Sequence, residues 1–365
     1  MKKAHRMLIV AGGTGGHIFP AKAVGLMALE QSIEVHCIGT SGALEKKYFG
    51  EEFPLLALNT QGLRGRHIIR RLQALWQMGK AFFKSIQYIN AFNPHVVLCM
   101  GGYVTVPVAL ASFVLRKKII CHEQNAVAGM SNRYLAKIAN HVLEAFPKSF
   151  PDSIRTETVG NPVRSSFLNK PLPENRFRQS RDKFHLLVIG GSQGAQAINQ
   201  LVVSTIKKYP FSRPLHITHQ TGATHHASVI DSYQALSSHP HSIDVQDFIE
   251  DTSEAFAQAD LIIARSGALT VAEICAVGAA AFFIPFPSAV DDHQYKNAKH
   301  LEDAGAARIF RQSEIDEKKL HDAISELINH PNKIITMATQ AKQFSKSDSC
   351  ERILRACHPD FLKKP

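Results

Sequence analysis

The sequence predicts an α/β protein made of two doubly wound domains, each with a parallel sheet. Short apolar runs rich in β-branched residues alternate with segments of helix length. The runs are continuously apolar, which is typical of strands that helices cover on both faces. An apolar strand that opens into a glycine-rich turn occurs at residues 8–16 and again at 187–194. A chain of 365 residues is long enough for two such domains.

The predicted strands are spread along the whole chain. They are residues 7–11, 35–38, 96–100, 119–121, 142–145, 186–189, 215–218, 261–264 and 280–284. Their alternation with helical segments favours parallel pairing through right-handed crossovers. We expect a first domain at 1–160, a linker rich in Pro, Arg and Asn at 161–183, and a second domain at 184–340. The last helical segment, about 340–365, is expected to pack on the first domain.

The expected ligand site is a cleft between the carboxyl ends of the two sheets, because ligands of doubly wound folds bind there. The glycine-rich turns would then lie on the walls of this cleft.

Composition narrows the class of protein. Hydrophobic residues make up 45% and charged residues 20%, which excludes a disordered, collagen-like or coiled-coil chain. The six cysteines show no CxxC spacing and are expected to be reduced and buried in a cytosolic protein. Residues 96–115 carry no charge, but Gly101, Gly102 and Pro107 interrupt them, which favours a strand and a buried helix over a membrane span.

The positive charge lies almost entirely in the first half of the chain. Residues 1–160 hold 19 basic and nine acidic residues, whereas residues 161–365 hold 23 and 22. This asymmetry favours an anionic partner for the first half, with generic solubility as the alternative.

The first glycine-rich turn is Gly12-Gly13-Thr14-Gly15-Gly16-His17. A helix that begins after such a turn directs N–H groups at an anion. The turn differs from a dinucleotide fingerprint, because Ile18 stands where a third small residue is required and no acidic residue ends the next strand. His17, at the helix start, is a candidate general base, with a capping or ligand-orienting histidine as the alternative.

Two further glycine turns and a polar cluster follow other predicted strands. The turns are residues 101–107 and 190–195, and in the second of them Ser192 can donate to a phosphate oxygen. Three such turns in one chain favour a phosphorylated ligand. The cluster His122-Glu123-Gln124-Asn125 ends a strand, where Glu123 can accept a proton and Asn125 can bind sugar hydroxyls. A group that caps the next helix is the alternative.

The second half of the chain adds candidate nucleotide-binding residues. Arg164 can pair with a diphosphate, or form a surface salt bridge. The turn at Ser266 offers N–H groups to phosphate, and Glu273 can hold a ribose diol unless it is a solvated helix residue. Gln294 can reach sugar hydroxyls. Because no metal-ligand spacing is present, we predict no catalytic metal.

The spacing of apolar residues predicts a helix over residues 66–89, with a wide apolar arc and basic flanks. Ile68, Leu75, Phe82 and Ile89 fall along the edge predicted to face the sheet. The other edge suits an anionic membrane surface, with an ordinary core helix as the alternative. Its predicted membrane residues are Ile69, Arg70, Trp76, Lys80 and Phe83.

Taken together, these motifs resemble the MurG family of N-acetylglucosaminyltransferases, which complete the lipid-linked precursor of bacterial peptidoglycan. The matching segments follow the family's order over nearly the whole chain: 12–20 (GGTGGHIFP), 101–107, 122–125 with Asn132-Arg133, 161–164, 190–195, 265–273 and 292–298. Ala128 and Ala280 stand where proline is expected, which affects local stiffness rather than chemistry.

The resemblance implies a GT-B fold, with the acceptor on the first domain and the donor, UDP-N-acetylglucosamine, on the second. The uracil would lie near Phe248 and Ile249. The implied donor-binding residues are Thr14, Gly15, Gly16, Asn125, Arg164, Ser192, Ile249, Ser266, Ala268, Leu269, Thr270, Glu273 and Gln294. The implied acceptor-binding residues are Gly13, His17, Gly102 and Tyr103.

The implied reaction is an inverting displacement without a cofactor. The 4-hydroxyl of undecaprenyl-diphosphate-linked N-acetylmuramoyl pentapeptide attacks the anomeric carbon and UDP leaves, with His17 as the first candidate base and Glu123 as the second. The implied location is the cytoplasmic face of the bacterial plasma membrane, peripherally bound, with other cell-wall synthesis proteins as open partners. The alternatives are a UDP-sugar 2-epimerase or glycolipid-forming transferase of the same fold, and a non-catalytic sugar-nucleotide-binding subunit. Nucleic acid is not expected as a partner, because no recognised binding motif is present.

Overall fold

The computed structural model describes residues 5–60, 68–177, 182–191, 193–234 and 240–358, without the side chains of residues 43, 44, 68–72 and 290. The chain divides into two compact units. The first comprises Met1–Arg164 with Lys346–Pro365, and the second comprises Ser165–Ser345.

The first unit is built on a parallel sheet in the order β3-β2-β1-β4-β5-β6-β7. Its strands are β1 (Arg6–Val10), β2 (Glu34–Thr40), β3 (Leu55–Leu58), β4 (Val96–Cys99), β5 (Lys118–Glu123), β6 (His141–Glu144) and β7 (Glu157–Thr158). The helices between them are α1 (Gly15–Glu30), α2 (Ala43–Tyr48), α3 (Ile68–Phe92), α4 (Thr105–Val114) and α5 (Met130–Leu135).

The second unit repeats this design with a parallel sheet in the order β10-β9-β8-β11-β12-β13. Its strands are β8 (Phe184–Ile189), β9 (Leu215–Gln220), β10 (Ser242–Gln246), β11 (Leu261–Ala264), β12 (Ala281–Phe283) and β13 (Arg308–Ile309). Its helices are α6 (Ser165–Leu168), α7 (Pro173–Arg176), α8 (Gln196–Lys208), α9 (His226–Gln234), α10 (Thr252–Gln258), α11 (Ala268–Val277), α12 (His293–Asp303), α13 (Glu317–Asn329) and α14 (Pro331–Gln343). A final helix, α15 (Ser349–Cys357), belongs to the first unit.

The two doubly wound parallel sheets are confirmed, and every predicted strand is present. Four strands have no counterpart in the prediction: β3, β7, β10 and β13. β7 and β13 have only two residues, and β10 alternates in polarity at a sheet edge, so these three lack the continuous apolar run of a central strand. β3 is a short apolar edge strand, LLAL, that the sequence prediction missed.

Helices cover both faces of β1, which explains why its residues from Met7 to Val10 are all apolar. Met7 and Ile9 are buried in a core that includes residues of α1 and α15. Leu8 and Val10 are buried on the other face, in a core that includes residues of α3 and α4. A strand covered by helices on both faces has no side that favours polar residues.

The return of the chain to the first unit is fixed by α15. Ile353 and Leu354 are buried in the same core as β1 and α1. Lys118, at the start of β5, donates from Nζ to the carbonyl oxygens of Ala356 and Cys357, at 2.7 and 3.1 Å. A cation at this end satisfies the last carbonyls and complements the helix dipole.

Much of the segment predicted to be a linker belongs to the second unit. Phe167 of α6 is buried edge-to-face on Phe256, with ring centroids 5.4 Å apart. Arg176 of α7 donates to the carbonyl oxygen of Ala257 at 3.0 Å. These contacts make residues 165–177 part of a folded unit rather than a free connection.

Two other features bear on the class of protein. All six cysteines are buried thiols, as expected from their surroundings in sequence. No helix in the described ranges is both long enough and apolar enough to span a bilayer.

Candidate active site

In the first unit, three glycine positions bring the turns after neighbouring strands together. Gly13, which follows β1, and Gly101 and Gly102, which follow β4, have φ angles of 94°, 100° and 91°. A Cβ on Gly102 would lie 2.3 Å from the carbonyl oxygen of Gly12. Only glycine permits this left-handed backbone and this close approach. The turn after β4 therefore rests directly on the turn after β1.

His17 lies at this junction, in the first turn of α1. Its Nδ1 is 3.2 Å from the carbonyl oxygen of Gly12 and 3.4 Å from Oγ1 of Thr14. The contact with a carbonyl oxygen assigns the proton to Nδ1 and leaves the Nε2 lone pair as an acceptor. Nε2 has no hydrogen-bond partner among the described residues. The ring binds a carbonyl oxygen and not the helix N–H groups, so it is not a helix cap.

The electrostatic surroundings keep this imidazole neutral. Burial lowers the pKa of His17, and the charge of Glu123 and the bond to Gly12 oppose that shift. A neutral ring with an open Nε2 can accept a proton from a hydroxyl group.

Glu123 is held differently from a proton acceptor. Its Oε1 accepts from the backbone N–H and the side-chain amide of Asn125, at 2.9 and 3.1 Å. Its Oε2 accepts from the N–H of Gly129 and the amide of Asn132, at 3.0 and 2.8 Å. Four hydrogen bonds saturate the carboxylate. The structure therefore argues against Glu123 as the base and favours the structural alternative, since Gly129 directly precedes α5.

The N-terminus of α1 presents a cationic, donor-rich surface. The backbone N–H groups of Thr14, Gly15 and Gly16 have no acceptor in the described part of the chain. The guanidinium of Arg164 lies 5.7 Å from the centre of the Phe19 ring, one helical turn further on. Helix N–H groups together with an arginine suit a diphosphate.

Gly13 contributes through its conformation and not through its N–H group. That N–H donates to Oε1 of Glu45 at 2.9 Å, so it is not available to a ligand. Glu45 is buried and also accepts from Thr40. Tyr103, next to Gly102, is exposed.

In the second unit, Gln220 at the end of β9 joins two of the expected donor-binding segments. Its Nε2 donates to the carbonyl oxygen of Gly191, and its Oε1 accepts from the N–H of Ile249, both at 3.0 Å. The N–H of Ile249 is therefore engaged within the protein, and the neighbouring Phe248 is exposed. Ser192 lies outside the described residues.

The start of α11 is the second helix N-terminus with candidate ligand groups. Ser266 is fully buried; its carbonyl oxygen accepts from the amide of Asn297 at 3.1 Å, and its Oγ has no partner within the described ranges. Leu269 and Thr270 follow Ala268 in the first turn and are partly exposed. Glu273 is only 8% exposed, which excludes the alternative of a solvated helix glutamate.

Two neighbouring polar residues have roles within the protein. The Oε1 of Gln294 accepts from the N–H of Phe286 at 2.9 Å, so its amide NH₂ is the group that remains for a sugar hydroxyl. Arg265 donates to the carbonyl oxygens of Ile284 and Pro285, and burial lowers its pKa. Arg265 therefore supports the loop after β12.

Four supporting residues were given no role from sequence: Glu45, Gln124, Gln220 and Asn297. Gln124 and Asn297 lie in segments that the sequence singled out, whereas the position of Gln220 at the end of an apolar strand is the only sequence signal for it. Glu45 lies in a short helix remote in sequence from the turn that it holds. Within the described residues, His, Cys, Asp and Glu side chains form no group of three or more that can hold a metal ion.

The two sheets and their glycine-rich turns define a GT-B fold, and two family models identify the chain as a glycosyltransferase. The model of the glycosyltransferase family 28 N-terminal domain matches residues 7–144, and that of the C-terminal domain matches residues 185–353.

Comparison with individual proteins shows to which glycosyltransferases of this family the chain is similar in sequence and structure. The chain is 39% identical to a UDP-N-acetylglucosamine--N-acetylmuramyl-(pentapeptide) pyrophosphoryl-undecaprenol N-acetylglucosamine transferase of Coxiella burnetii, over 97% of this chain and 98% of that protein. It is 41% identical to the transferase of the same name from Acidithiobacillus ferrooxidans, over 97% of each chain. The crystal structure of Acinetobacter baumannii MurG is similar with a TM-score of 0.82 and 35% identity, covering 98% of this chain and 99% of that one. The chain belongs to the MurG family.

Proposed function

We propose that this protein transfers N-acetylglucosamine from UDP-N-acetylglucosamine to undecaprenyl-diphosphate-linked N-acetylmuramoyl pentapeptide, the step that converts lipid I into lipid II in peptidoglycan synthesis. The observation that carries this conclusion is 39% identity to a transferase with this name over nearly the whole of both chains. The site geometry provides the groups that the reaction needs.

The donor is assigned to the second unit. The buried carboxylate of Glu273 accepts hydrogen bonds from the ribose hydroxyls, and the uracil lies against Ile249 and Phe248. The turn from Ser266 to Ala268 binds diphosphate oxygens, because the N-terminus of a helix carries a partial positive charge. Leu269, Thr270 and Gln294 contact the sugar. Asn125 of the first unit and Ser192 are further donor contacts carried over from the resemblance.

The reaction is a single displacement. The acceptor oxygen forms a bond to the anomeric carbon, the bond from that carbon to the diphosphate oxygen breaks, and UDP leaves with the bonding electrons. The hydroxyl proton passes to Nε2 of His17. The anomeric configuration inverts, which gives a β-1,4 linkage.

The first unit also has a site for a diphosphate, the group that both substrates carry. The open N–H groups of Thr14, Gly15 and Gly16 and the guanidinium of Arg164 stabilise negative charge at this helix N-terminus. Gly13 and Gly102 shape the turn, and the exposed Tyr103 is assigned to the acceptor.

We further propose that α3, α4 and α5 of the first unit rest on the anionic cytoplasmic surface of the plasma membrane. The three helices pack in sequence, α3 on α4 and α4 on α5. Their exposed large apolar side chains are Leu75, Trp76, Phe83, Leu110, Phe113, Val114, Met130 and Tyr134.

Basic side chains accompany these apolar groups. Lys80 Nζ lies 3.5 Å from the centre of the Trp76 ring, and Lys84, Arg116, Arg133 and Lys137 are exposed nearby in sequence. Apolar side chains with basic neighbours suit the interface of an anionic bilayer.

The exposed apolar residues differ in part from those expected from sequence. Leu75, predicted to face the sheet, is exposed, and five of the exposed apolar residues come from α4 and α5 rather than α3. The side chains of Ile68, Ile69 and Arg70 lie outside the described set.

The test of the catalytic proposal is transfer of radiolabel by the purified chain. UDP-[¹⁴C]N-acetylglucosamine and a short-chain lipid-linked muramoyl pentapeptide are incubated with a chelator and no added metal. We expect a lipid-linked disaccharide and one UDP for each bond formed, and little transfer from UDP-N-acetylgalactosamine. Conversion of the donor to its 2-epimer without acceptor would instead identify an epimerase. An inactive chain that gains activity only with a second protein would identify a non-catalytic subunit.

A further inference from the structure

The side chain of Gln124 lies beside the candidate base and has no part in the mechanism given so far. Gln124 belongs to the polar cluster at residues 122–125, directly follows β5 and is 2% exposed. Its Nε2 is 3.0 Å from Nδ1 of His122. Its Oε1 is buried and has no hydrogen-bond partner in the part of the chain that the structure describes. A buried amide oxygen without a donor is costly, so this one requires an explanation.

His122 fixes the orientation of this amide. The Nε2 of His122 lies 3.0 Å from the carbonyl oxygen of Gly160, to which it donates. Burial lowers the pKa of His122 to about 4, so the ring is neutral near pH 7 and its Nδ1 is an acceptor. Nδ1 of His122 therefore accepts a hydrogen bond from the NH₂ group of Gln124. The amide oxygen of Gln124 must then point away from His122.

Oε1 of Gln124 points towards Gly101. The position that a Cβ would occupy on Gly101 is 3.4 Å from Oε1 of Gln124 and 2.9 Å from Nε2 of His17. The φ angle of 100° keeps this position free of a side chain. Oε1 of Gln124 and Nε2 of His17 therefore border the same small space.

We propose that Gln124 is a positioning residue for His17. Once the His17 ring has taken the proton of the acceptor substrate's hydroxyl group, the Nε2–H of His17 donates to Oε1 of Gln124. The proton leaves the hydroxyl oxygen and binds Nε2, and a small movement of the ring towards Gly101 completes the hydrogen bond. The imidazolium then has an acceptor on each side, Gly12 at Nδ1 and Gln124 at Nε2. This inference rests on the proposed role of His17 as base.

Other titratable groups around the ring do not replace this contact. Glu123 favours the charged ring through space, but its carboxylate already accepts four hydrogen bonds. Glu45 is bound to the N–H of Gly13, His122 is neutral, and Arg164 lies over Phe19. Glu123, Glu45 and Arg164 make no side-chain hydrogen bond with Gln124, so a substitution there leaves them in place. Gln124→Met also removes the donor to Nδ1 of His122, whereas Gln124→Glu keeps an oxygen acceptor for His17.

The first test is the variant Gln124→Met, which keeps the side-chain length and removes the acceptor. Loss of one hydrogen bond to a charged ring is expected to lower kcat about 10-fold and to move the acidic limb of the kcat–pH profile about one unit lower. The KM for UDP-N-acetylglucosamine should stay unchanged. Gln31→Met, at an exposed glutamine of the same unit, should match the unmodified protein. An acidic limb that stays in place while kcat falls would overturn the proposal.

A second test does not depend on turnover. With ¹³C-labelled histidine, the NMR titration of His17 without substrates should show a lower pKa in Gln124→Met. It should show a higher pKa in Gln124→Glu, which also serves if the methionine variant fails to fold. An unchanged His17 titration contradicts the contact. If His17→Gln retains full turnover but the titration shifts, the contact stands and the assignment of the base fails.

Discussion

At the scale of single residues, His17 and Glu123 show why sequence alone left two candidates for the base. Both residue types accept protons, and both lie at the carboxyl ends of strands of the same sheet, Glu123 as the last residue of β5 and His17 in the helix after β1. What separates them is hydrogen bonding that no sequence pattern encodes. Glu123 has four donors around its carboxylate, whereas His17 has a single carbonyl partner that directs its second nitrogen outward.

The base assignment predicts the behaviour of His17→Gln. Glutamine keeps a polar side chain but cannot accept a proton near neutral pH, so kcat should fall about 100-fold or more. The KM for the donor should change little, because the assigned ribose and uracil contacts are in the second unit. The measurement is steady-state turnover with the short-chain acceptor.

The matched control is His141→Gln, since His141 is an exposed histidine of the same unit at the start of β6. It should leave both constants unchanged. Turnover of His17→Gln within a factor of about two of the unmodified chain would assign the proton to another acceptor.

At the scale of elements, the strands that are covered on both faces could be predicted, and the edge strands could not. Met7–Val10 of β1 and all of β11 are buried, so their sequences carry an unbroken apolar signal. The edge strand β10 has no fully buried residue, and its sequence SIDVQ is close to that of a loop. The position of the glycine turns was predictable because they follow strands of the first kind.

The details of the site were less accessible from sequence than its position. Glycine after a strand predicts a turn near a ligand, but not which N–H groups remain open there. Glu45 takes the N–H of Gly13, and Gln220 takes the N–H of Ile249. Each contact joins elements that are distant in sequence, so tertiary packing decides it.

The exposed apolar face of α3 leads to a prediction for membrane binding. Trp76 and Phe83 are 64% and 66% exposed and lie two helical turns apart. Burying an aromatic side chain in lipid contributes roughly 2 kcal/mol, so Trp76→Ser with Phe83→Ser should weaken binding to vesicles with anionic lipid at least ~100-fold. Sedimentation with such vesicles measures this partitioning.

The control for this experiment is Leu172→Ser in the second unit, where the leucine is 53% exposed. It should bind vesicles as the unmodified chain does. Turnover of the short-chain acceptor in solution should stay normal in all variants. Equal vesicle binding by the double variant and the control would place the membrane surface elsewhere.

At the scale of the whole molecule, each unit contains a fully buried histidine on a central region of its sheet. His122 lies on β5 and bonds to Gly160. His219 lies on β9, with Nδ1 2.9 Å from the hydroxyl of Tyr233 and Nε2 3.1 Å from Oδ1 of Asn199. Burial lowers the pKa of each to about 4. In both units, therefore, protonation of a buried histidine at low pH destabilises the fold.

This arrangement predicts that the protein loses stability between about pH 6.5 and pH 4. The unfolded chain binds a proton at each histidine near pH 6.5, whereas the folded chain resists protonation until about pH 4. In that window the unfolded state holds more protons, so the free energy of unfolding falls as the pH falls. Each histidine accounts for roughly 3 kcal/mol of the free energy of unfolding across the window, and above the window their effect is constant.

Urea unfolding at a series of pH values, followed separately for each unit, measures how steeply the free energy of unfolding changes with pH. His219→Gln should flatten the slope of the second unit alone, and His141→Gln should leave both slopes unchanged. A free energy of unfolding that is the same at pH 7 and pH 4.5 would contradict the prediction, because two buried neutral rings cannot take up protons without cost.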